Sequence, residues 1–417
     1  MADRKDVIVV GGGPVGMLTA LALAQTGAKV SVLEQEPHII NSPRAAVYFP
    51  STLLILDELG LLDELLEIGF INRTFGTHLP EFGYSSVVVT EPIEGIDYDY
   101  QLHAGQHDVA RVAMEHAQKL GVEVLFNHRL TGFEDGPDGV TLSVETPEGK
   151  REFAAKWLVG ADGARSTVRD LAGIEFAGYT WPERFVATNV KFDFSKLGYE
   201  QANFVCDPVN MAVIAQLDRE GLWRCTYMED AALPVETYED RIHQRYEYFM
   251  QGSKDYEIVS SSPYMLHQRA GETLHKGHVL LVGDAAHATN PCGGLGLTSG
   301  VWTGVVCADV LGAVLRGEED EETLDRFSDE RRRIFWEVVT PAASENKRML
   351  QETDPEQRQK DLAAVKALNE DPDSGAMLML FAYKVIGDVL RKGSRWAHAD
   401  PTPRVALDIA GRQGQIH

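Results

Sequence analysis

Cysteine is scarce in this chain: four residues in 417, Cys206, Cys225, Cys292 and Cys307, with no C-x-x-C pairing among them. That rules against a disulfide framework or a thiolate metal site, no metal is expected, and a reducing cytoplasm fits. Basic residues are also short, 39 Lys and Arg against 63 Asp and Glu, for a formal net charge of −24. A chain of that sign is a poor match for nucleic acid or an anionic membrane surface. Read along the sequence, no apolar run reaches the ~18 residues needed to cross a bilayer. The N-terminal MADRKD leads straight into a strand, which leaves no room for a signal peptide. Internal repeats and low-complexity segments are absent as well.

What the chain does have is ample core material, 44% hydrophobic residues, and a length that calls for two or three packed units. One stretch organises the rest, DVIVVGGGPVGMLTALALAQTGAKVSVLEQE at Asp6–Glu36. Val7–Val10 reads as a buried strand, Met17–Gln25 as an apolar helix closed by Gly27, and Lys29–Leu33 as a second strand ending in Glu34 and Gln35. Between strand and helix, Gly11-Gly12-Gly13-Pro14-Val15-Gly16 matches the G-x-G-x-x-G fingerprint at Gly11, Gly13 and Gly16. The first glycine permits the turn, the second lets backbone approach a pyrophosphate, and the third lets helix lie on strand. The helix N-terminus offers its N–H groups to the phosphates. Glu34 can accept from a ribose diol and would repel a 2′-phosphate, so the cofactor is FAD or NAD.

Further along, Ser51–Leu56, Leu59–Ile68 and Gln106–Leu120 have helical period, and Phe75–Val89 and Ile96–Leu102 read as strands. Val122–Phe126 and Lys156–Val159 are short buried strands, with a hairpin of Leu130–Glu134 and Val140–Glu145 between them. From about Gly178 the pattern changes: Val186–Phe194, Asn203–Cys206, Met211–Leu217 and Trp223–Met228 alternate like antiparallel strands, which implies a second, inserted sheet. Val235–Gln251 follows as an amphipathic helix, and Val279–Val282 returns to the first sheet. A helix over Leu297–Leu315 and further helices to about Leu390 complete the chain, those in GEEDEETLDRF and SDERRRIFWEVV with their charges solvated. The expected fold is α/β: a Rossmann-like nucleotide unit with a mainly parallel sheet (1–75, 103–178 and 268–340), an inserted mixed or antiparallel sheet for substrate (76–102 and 179–267), and C-terminal helices (341–417).

Two more motifs lie at strand ends. One is Gly160-Ala161-Asp162-Gly163-Ala164-Arg165-Ser166, where Ser166 also suits a helix N-cap. The other is Gly283-Asp284-Ala285-Ala286-His287, then Pro291 and Gly293-Gly294-Leu295-Gly296-Leu297-Thr298. Asp284 can bind a ribityl or ribose hydroxyl, and the glycines expose N–H groups at the start of a helix whose positive end suits a reduced flavin ring.

With all three motifs in order, the chain resembles the single-component class A flavoprotein monooxygenases of the para-hydroxybenzoate hydroxylase type, from Asp6 to about Trp336. The resemblance implies FAD, held by Gly11, Gly13, Pro14, Val15, Gly16, Glu34 and Gln35 at its AMP half, with Arg44, Gln106, the backbone of Leu130, and Asp162 as further contacts. It places Asp284 at the ribityl chain and Pro291, Gly294, Gly296, Leu297 and Thr298 at the flavin ring; many members carry Asn where this chain has Thr298. It also implies NAD(P)H as co-substrate, addition of O2 to the reduced flavin, and attack of the C4a-hydroperoxide on an electron-rich aromatic ring. HATNPCGGLGL and NFVCDPVNMAVIAQLDREGLWR are most similar to the phenol 4-monooxygenases acting on para-substituted phenols such as nitrophenols. Asn203, Tyr227, His287 and Pro291 are the candidates for substrate or catalytic contact, and His267 reads as a loop residue. The partners expected are a small aromatic substrate and O2, with the chain a monomer or homodimer. Another FAD oxidoreductase on the same scaffold (a dehydrogenase or epoxidase) and a non-catalytic flavin-binding protein are the alternatives.

Overall fold

The computed structural model describes residues 4–40 and 46–402. The chain runs β1 (Lys5–Val10), α1 (Pro14–Gln25), β2 (Val30–Leu33), β3 (Val47–Tyr48), α2 (Pro50–Glu58), α3 (Leu62–Ile68), β4 (Phe70–Asn72), β5 (Thr74–Leu79), β6 (Tyr84–Val89), β7 (Gln101–His103), α4 (Gln106–Lys119), β8 (Glu123–Leu125), β9 (Arg129–Gly136), β10 (Gly139–Thr146), β11 (Gly149–Gly160) and α5 (Thr167–Leu171). It continues with β12 (Phe176–Lys191), β13 (Ala202–Val205), β14 (Ala212–Gln216), β15 (Leu222–Asp230), α6 (Tyr238–Phe249), β16 (Glu257–Gly271), β17 (His275–Lys276), β18 (Val279–Leu281), β19 (His287–Ala288), α7 (Leu295–Leu315), α8 (Glu322–Ile334), α9 (Thr340–Gln351), α10 (Pro355–Glu370) and α11 (Ser374–Phe381).

The first sheet has the order β17-β18-β11-β1-β2-β8, with β10 and β9 extending from β11, and its β18-β11-β1-β2-β8 run is parallel. Parallel strands must be covered on both faces, and β1 shows it: Val7, Ile8 and Val9 are wholly buried. Helix α1 packs against both α4 and α7, so it is apolar nearly all round, with Met17, Leu18, Ala20, Leu21 and Leu23 buried. Gly304 of α7 allows close contact there, since a Cβ at that position would stand 2.3 Å from Thr19 Oγ1.

The second sheet has the order β19-β16-β12-β15-β14-β13-β5-β6 and is antiparallel except where β13 runs parallel to β5. Its two faces carry different clusters. One face, with Val186, Ile214, Trp223, Cys225 and Tyr227, is covered by Tyr246 and Phe249 of α6. The other, with Phe185, Phe204, Met211 and Leu266, meets Cys292, Leu350 and Val365.

The α/β class with a parallel sheet, a mixed second sheet and C-terminal helices is as expected. Several local expectations are corrected. β16 was not foreseen, and His267 lies within it, paired with Thr180, rather than in a loop. Pro263 hides that strand in the sequence. Among the described residues β16 has an outer neighbour only at Arg269 and Ala270, and Ser261 O, two residues before Pro263, faces Tyr238 rather than β12, so Pro263 sits where the strand's outer side is open. Of Ile96–Leu102, only Gln101 and Leu102 are strand. The chain does hold a run long and apolar enough to span a bilayer, α7, but 83% of that window is buried inside the protein, as in a core helix. The charges of α8 are not all solvated. Arg331 lies on the same face as Phe327 and Ile334 and is wholly buried.

Arg331 acts as a clasp. It donates to the carbonyls of Ile386 and Val385 at 2.7 and 2.9 Å and to Thr303 Oγ1 at 3.2 Å, tying the C-terminal segment to α7. Arg331→Ala would leave those buried carbonyls without donors and is expected to cost about 3 kcal/mol of stability. Urea unfolding midpoints check this, and a loss under ~0.5 kcal/mol would contradict it.

Candidate active site

The three motifs meet at the C-terminal ends of β1, β11 and β18, where doubly wound sheets bind ligands. Ala161 N–H donates to Val10 O at 2.8 Å, and Val282 N–H donates to Gly160 O at 2.9 Å. Arg169 joins the second motif to the third, donating to Ala164 O at 3.0 Å and Ala285 O at 3.3 Å. It is buried over the ring of Phe176.

The glycine turn is built as its spacing implies. A Cβ on Gly16 would stand 2.0 Å from Gly11 O, and one on Gly11 would meet Ala161 O at 2.4 Å, so both are obligatory for packing. Gly13 is different: it sits at φ −72° as the N-cap of α1, and a Cβ there would meet nothing within 4 Å. Its space lies at the helix N-terminus, where a pyrophosphate fits and orients. Pro14 takes the first helical position, where its missing N–H costs nothing, and Val15 packs against Gly283.

Glu34 emerges from β2 and accepts from Gly12 N at 2.5 Å and Glu36 N at 2.9 Å. This fixes its carboxylate beside the glycine turn. Exposed Gln35 follows. The chain before Leu130 comes alongside, with Asn127 N–H on Glu36 O at 3.0 Å and His128 N–H on Glu34 O at 2.8 Å. Leu130 itself is buried in β9. Gln106 opens α4, half-buried. Arg44 falls outside the described residues.

Asp162 accepts from Ser166 Oγ and from Val168 N at 3.1 Å, and burial raises its pKa. Ser166 caps α5 by accepting from Arg169 N at 3.0 Å, so the capping role and the motif coexist. Asp284 lies in the turn after β18.

The third motif spans both sheets. After Asp284 the chain makes β19, which pairs with β16 of the second sheet, then turns at Pro291, where Gly294 N–H donates to Pro291 O at 3.1 Å. Gly294 caps α7 in the left-handed region at φ +69°, and a Cβ there would strike the ring of Phe49. The helix therefore begins at Leu295, two residues earlier than expected, and Gly296, Leu297 and Thr298 stand in its first turn. Thr298 Oγ1 is turned back onto Gly294 O at 3.3 Å, so the outward-facing donors at this turn are backbone N–H groups.

Sequence reading missed the residues that hold this turn. Gln268 Oε1 accepts from Thr289 Oγ1 and Asn290 Nδ2 at 3.0 and 3.3 Å, while its Nε2 donates to Thr340 Oγ1 at 2.7 Å. Asn290 Oδ1 in turn accepts from Cys292 N at 3.1 Å. Gln268 lies on the unforeseen strand, and no motif marks it.

Three of the four catalytic candidates are not brought to this turn. Asn203 and Tyr227 lie on the α6 side of the second sheet. Asn203 is used by Glu200 N, Ile214 O and His78, and Tyr227 is packed near Phe249. His287 is buried, bonded to Thr303 Oγ1 at 2.8 Å and stacked on Phe335. Burial, helped by Arg331, pushes its pKa down to about 3, so it stays neutral. Pro291 alone lies at the turn. Cys292 beside it is inert, since burial pushes its thiol up to about 12.

The arrangement is that of a dinucleotide-binding oxidoreductase with a second sheet closing over the site. The FAD binding domain family model matches residues 4–342, and the chain belongs to that family. It is 42% identical over 383 residues to para-nitrophenol 4-monooxygenase of Pseudomonas sp. (strain WBC-3), covering 89% of this chain and 93% of that one. It is 40% identical over 377 residues to 6-hydroxy-3-succinoylpyridine 3-monooxygenase HspB of Pseudomonas putida (strain DSM 28022 / S16), covering 89% and 96%. The crystal structure of p-nitrophenol 4-monooxygenase PnpA from Pseudomonas putida DLL-E4 superposes with a TM-score of 0.87 at 39% identity, over 93% of this chain and 99% of that one. The chain is thus an FAD-dependent flavoprotein monooxygenase that hydroxylates aromatic compounds, with NAD(P)H as co-substrate.

Gly13→Ala isolates the cofactor's need for space. The protein has room for the methyl, so stability should change by no more than ~1 kcal/mol, while bound FAD should be largely lost. Far-UV circular dichroism and flavin absorbance of the purified variant check this, and undiminished FAD would contradict the placement of the pyrophosphate.

Proposed function

We propose that this enzyme hydroxylates a small para-substituted phenol of the nitrophenol kind, using NAD(P)H and O2. The observation that carries the reading is the 42% identity to a para-nitrophenol 4-monooxygenase, sustained over 93% of that protein's length. The cofactor would be held by Gly11, Gly13, Pro14, Val15 and Gly16 at the pyrophosphate, and by Glu34, Gln35 and Leu130 at the adenosine end. Gln106, Asp162 and Asp284 would serve the ribityl chain and its surroundings. Pro291, Gly294, Gly296, Leu297 and Thr298 would serve the ring. When bound, FAD supplies the activation of O2 that no side chain here can supply.

The protein's own part is positioning and exclusion of water. Gln268 and Asn290 hold the Pro291 turn in one conformation, and the positive end of α7 offers backbone N–H groups to a flavin that carries negative charge when reduced. The aromatic and apolar face formed by Phe75, Phe185, Phe204, Met211, Val213 and Leu266 stands against this turn through Cys292, where it would shield the reacting ring from solvent. Segments 76–102 and 179–267 would supply the substrate side and the rest of 1–340 the cofactor side, with 341–417 as a C-terminal helical region. The four buried, unpaired cysteines suit a cytoplasmic enzyme, monomeric or dimeric.

The test is NADH and NADPH oxidation, with O2 uptake and product identification, over a panel of para-substituted phenols and 6-hydroxypyridines. A para-substituted phenol should stimulate turnover and be recovered with a new hydroxyl group. Protein that carries FAD but is stimulated only by a hydroxypyridine, or by no member of the panel, would contradict the reading.

A further inference from the structure

Alternation along β15 sends Trp223, Cys225 and Tyr227 to the α6 side of the second sheet and Arg224, Thr226 and Met228 to the side of the Pro291 turn. Register then lays out three rows on that second face. Arg224 lies beside Asn189 and Ala215, Thr226 beside Ala187 and Val213, and Met228 beside Phe185. β16 extends the rows with Ser260, Ser262 and Tyr264. The middle row carries the small side chains Ala187, Thr226 and Ser262, with Val213 at its β14 end. It is flanked by Arg224 on one side and by the bulky Phe185, Met228 and Tyr264 on the other, so the face has a trough. Phe185 and Met228 belong to the same apolar cluster as Cys292, which places the trough's far wall against the Pro291 turn.

Arg224 is the charged group of this trough. Its Nε and Nη2 donate to Asn189 Oδ1 at 3.1 and 3.0 Å, which fixes the plane of the guanidinium. It is close enough to Tyr264, on the opposite wall, to interact with it electrostatically, and burial pulls its pKa down to about 10. Arginines buried more deeply than Arg224 have their charge or donors satisfied, Arg184 by Glu229 and Arg331 by carbonyl oxygens, and half-buried Arg391 is paired with Asp309. Arg224 forms no ion pair among the described residues, and the remaining N–H groups of its fork have no protein acceptor there. Arg224 is half-buried, so its free N–H groups face the open trough, and a bound anion would supply the counter-charge that the protein does not.

We propose that Arg224 is the counter-ion for the ionised phenol oxygen of the substrate, seated in the trough over Ala187, Thr226 and Ser262. This rests on the phenol reading above. Binding the phenolate selects the electron-rich form of the ring, the form an electrophilic oxygen donor attacks. Asn189 is then a positioning residue, since its amide oxygen orients the guanidinium without reaching the substrate.

The test is titration of FAD-loaded wild type, Arg224→Gln and Arg224→Lys with 4-nitrophenol, at a pH where it is ionised, and with neutral 4-nitroaniline, read by perturbation of flavin absorbance. Wild type should prefer the phenolate. Arg224→Gln should lose roughly tenfold or more in affinity for the phenolate while its affinity for the aniline stays within roughly twofold. Arg224→Lys should fall between. Equal losses for both ligands, or an unchanged phenolate preference in Arg224→Gln, would overturn the assignment. If Arg224→Gln does not load FAD, Arg224→Lys decides, and an undiminished phenolate preference there overturns it. Wild type that responds to neither ligand would show the failure to lie in the phenol reading, and the role of Arg224 would fall with it.

Discussion

The contact between Gly11 and Gly16 sets the geometry on which the rest depends. With a would-be Cβ only 2.0 Å from a carbonyl oxygen, α1 is pressed onto the end of β1 as closely as backbone allows. That closeness aims the helix N-terminus along the ends of β1, β11 and β18 and leaves the space above Gly13 open. It also favours an α1 that is apolar nearly all round, because α4 and α7 close over it. A single steric constraint thus links the core of the nucleotide unit to the shape of its ligand groove.

The second organising feature is the short run from Val279 to Thr298. It begins as a strand of the first sheet, passes Asp284, pairs with the second sheet at His287 and Ala288, turns at Pro291 and becomes α7. The two sheets are therefore registered to each other by the same residues that form the Pro291 turn. Gln268 makes that coupling rigid, since one side chain on the second sheet bonds the turn at Thr289 and Asn290 and reaches Thr340 of α9. A shift of the second sheet relative to the Pro291 turn would have to break this network, whose members are costly to leave unpaired.

Legibility from sequence followed the range of the interaction. The glycine turn, Glu34 and the capping Ser166 are local: spacing along a few residues determines their geometry, and they fall where the pattern put them. Asn203 and Tyr227 could not be assigned, because a strand residue's face depends on which element covers each side, and α6 covers theirs. His287 follows a motif, yet its environment is made by Thr303, Arg331 and Phe335, all more than a dozen positions away. Arg331 was within reach of helical periodicity, four residues from Phe327 on the buried face, but its charge argued for solvent. β16 was concealed by Pro263, harmless only because the strand's outer side is open there. Arg224 sits in a strand that was recognised, but only the registers of β12, β14 and β16 show what it faces.

The central claim is that the open space at Gly13 and the turn at Pro291 are two ends of one FAD site, with the second sheet's trough across the ring. The most direct measurement is the crystal structure of the FAD-loaded protein. The account predicts pyrophosphate density within hydrogen-bonding distance of the Gly13 amide, ring density against the Pro291–Leu297 turn, and the Arg224 trough facing that ring. Density for the ring elsewhere, or a groove closed by side chains from Gly13 to Gly294, would contradict it.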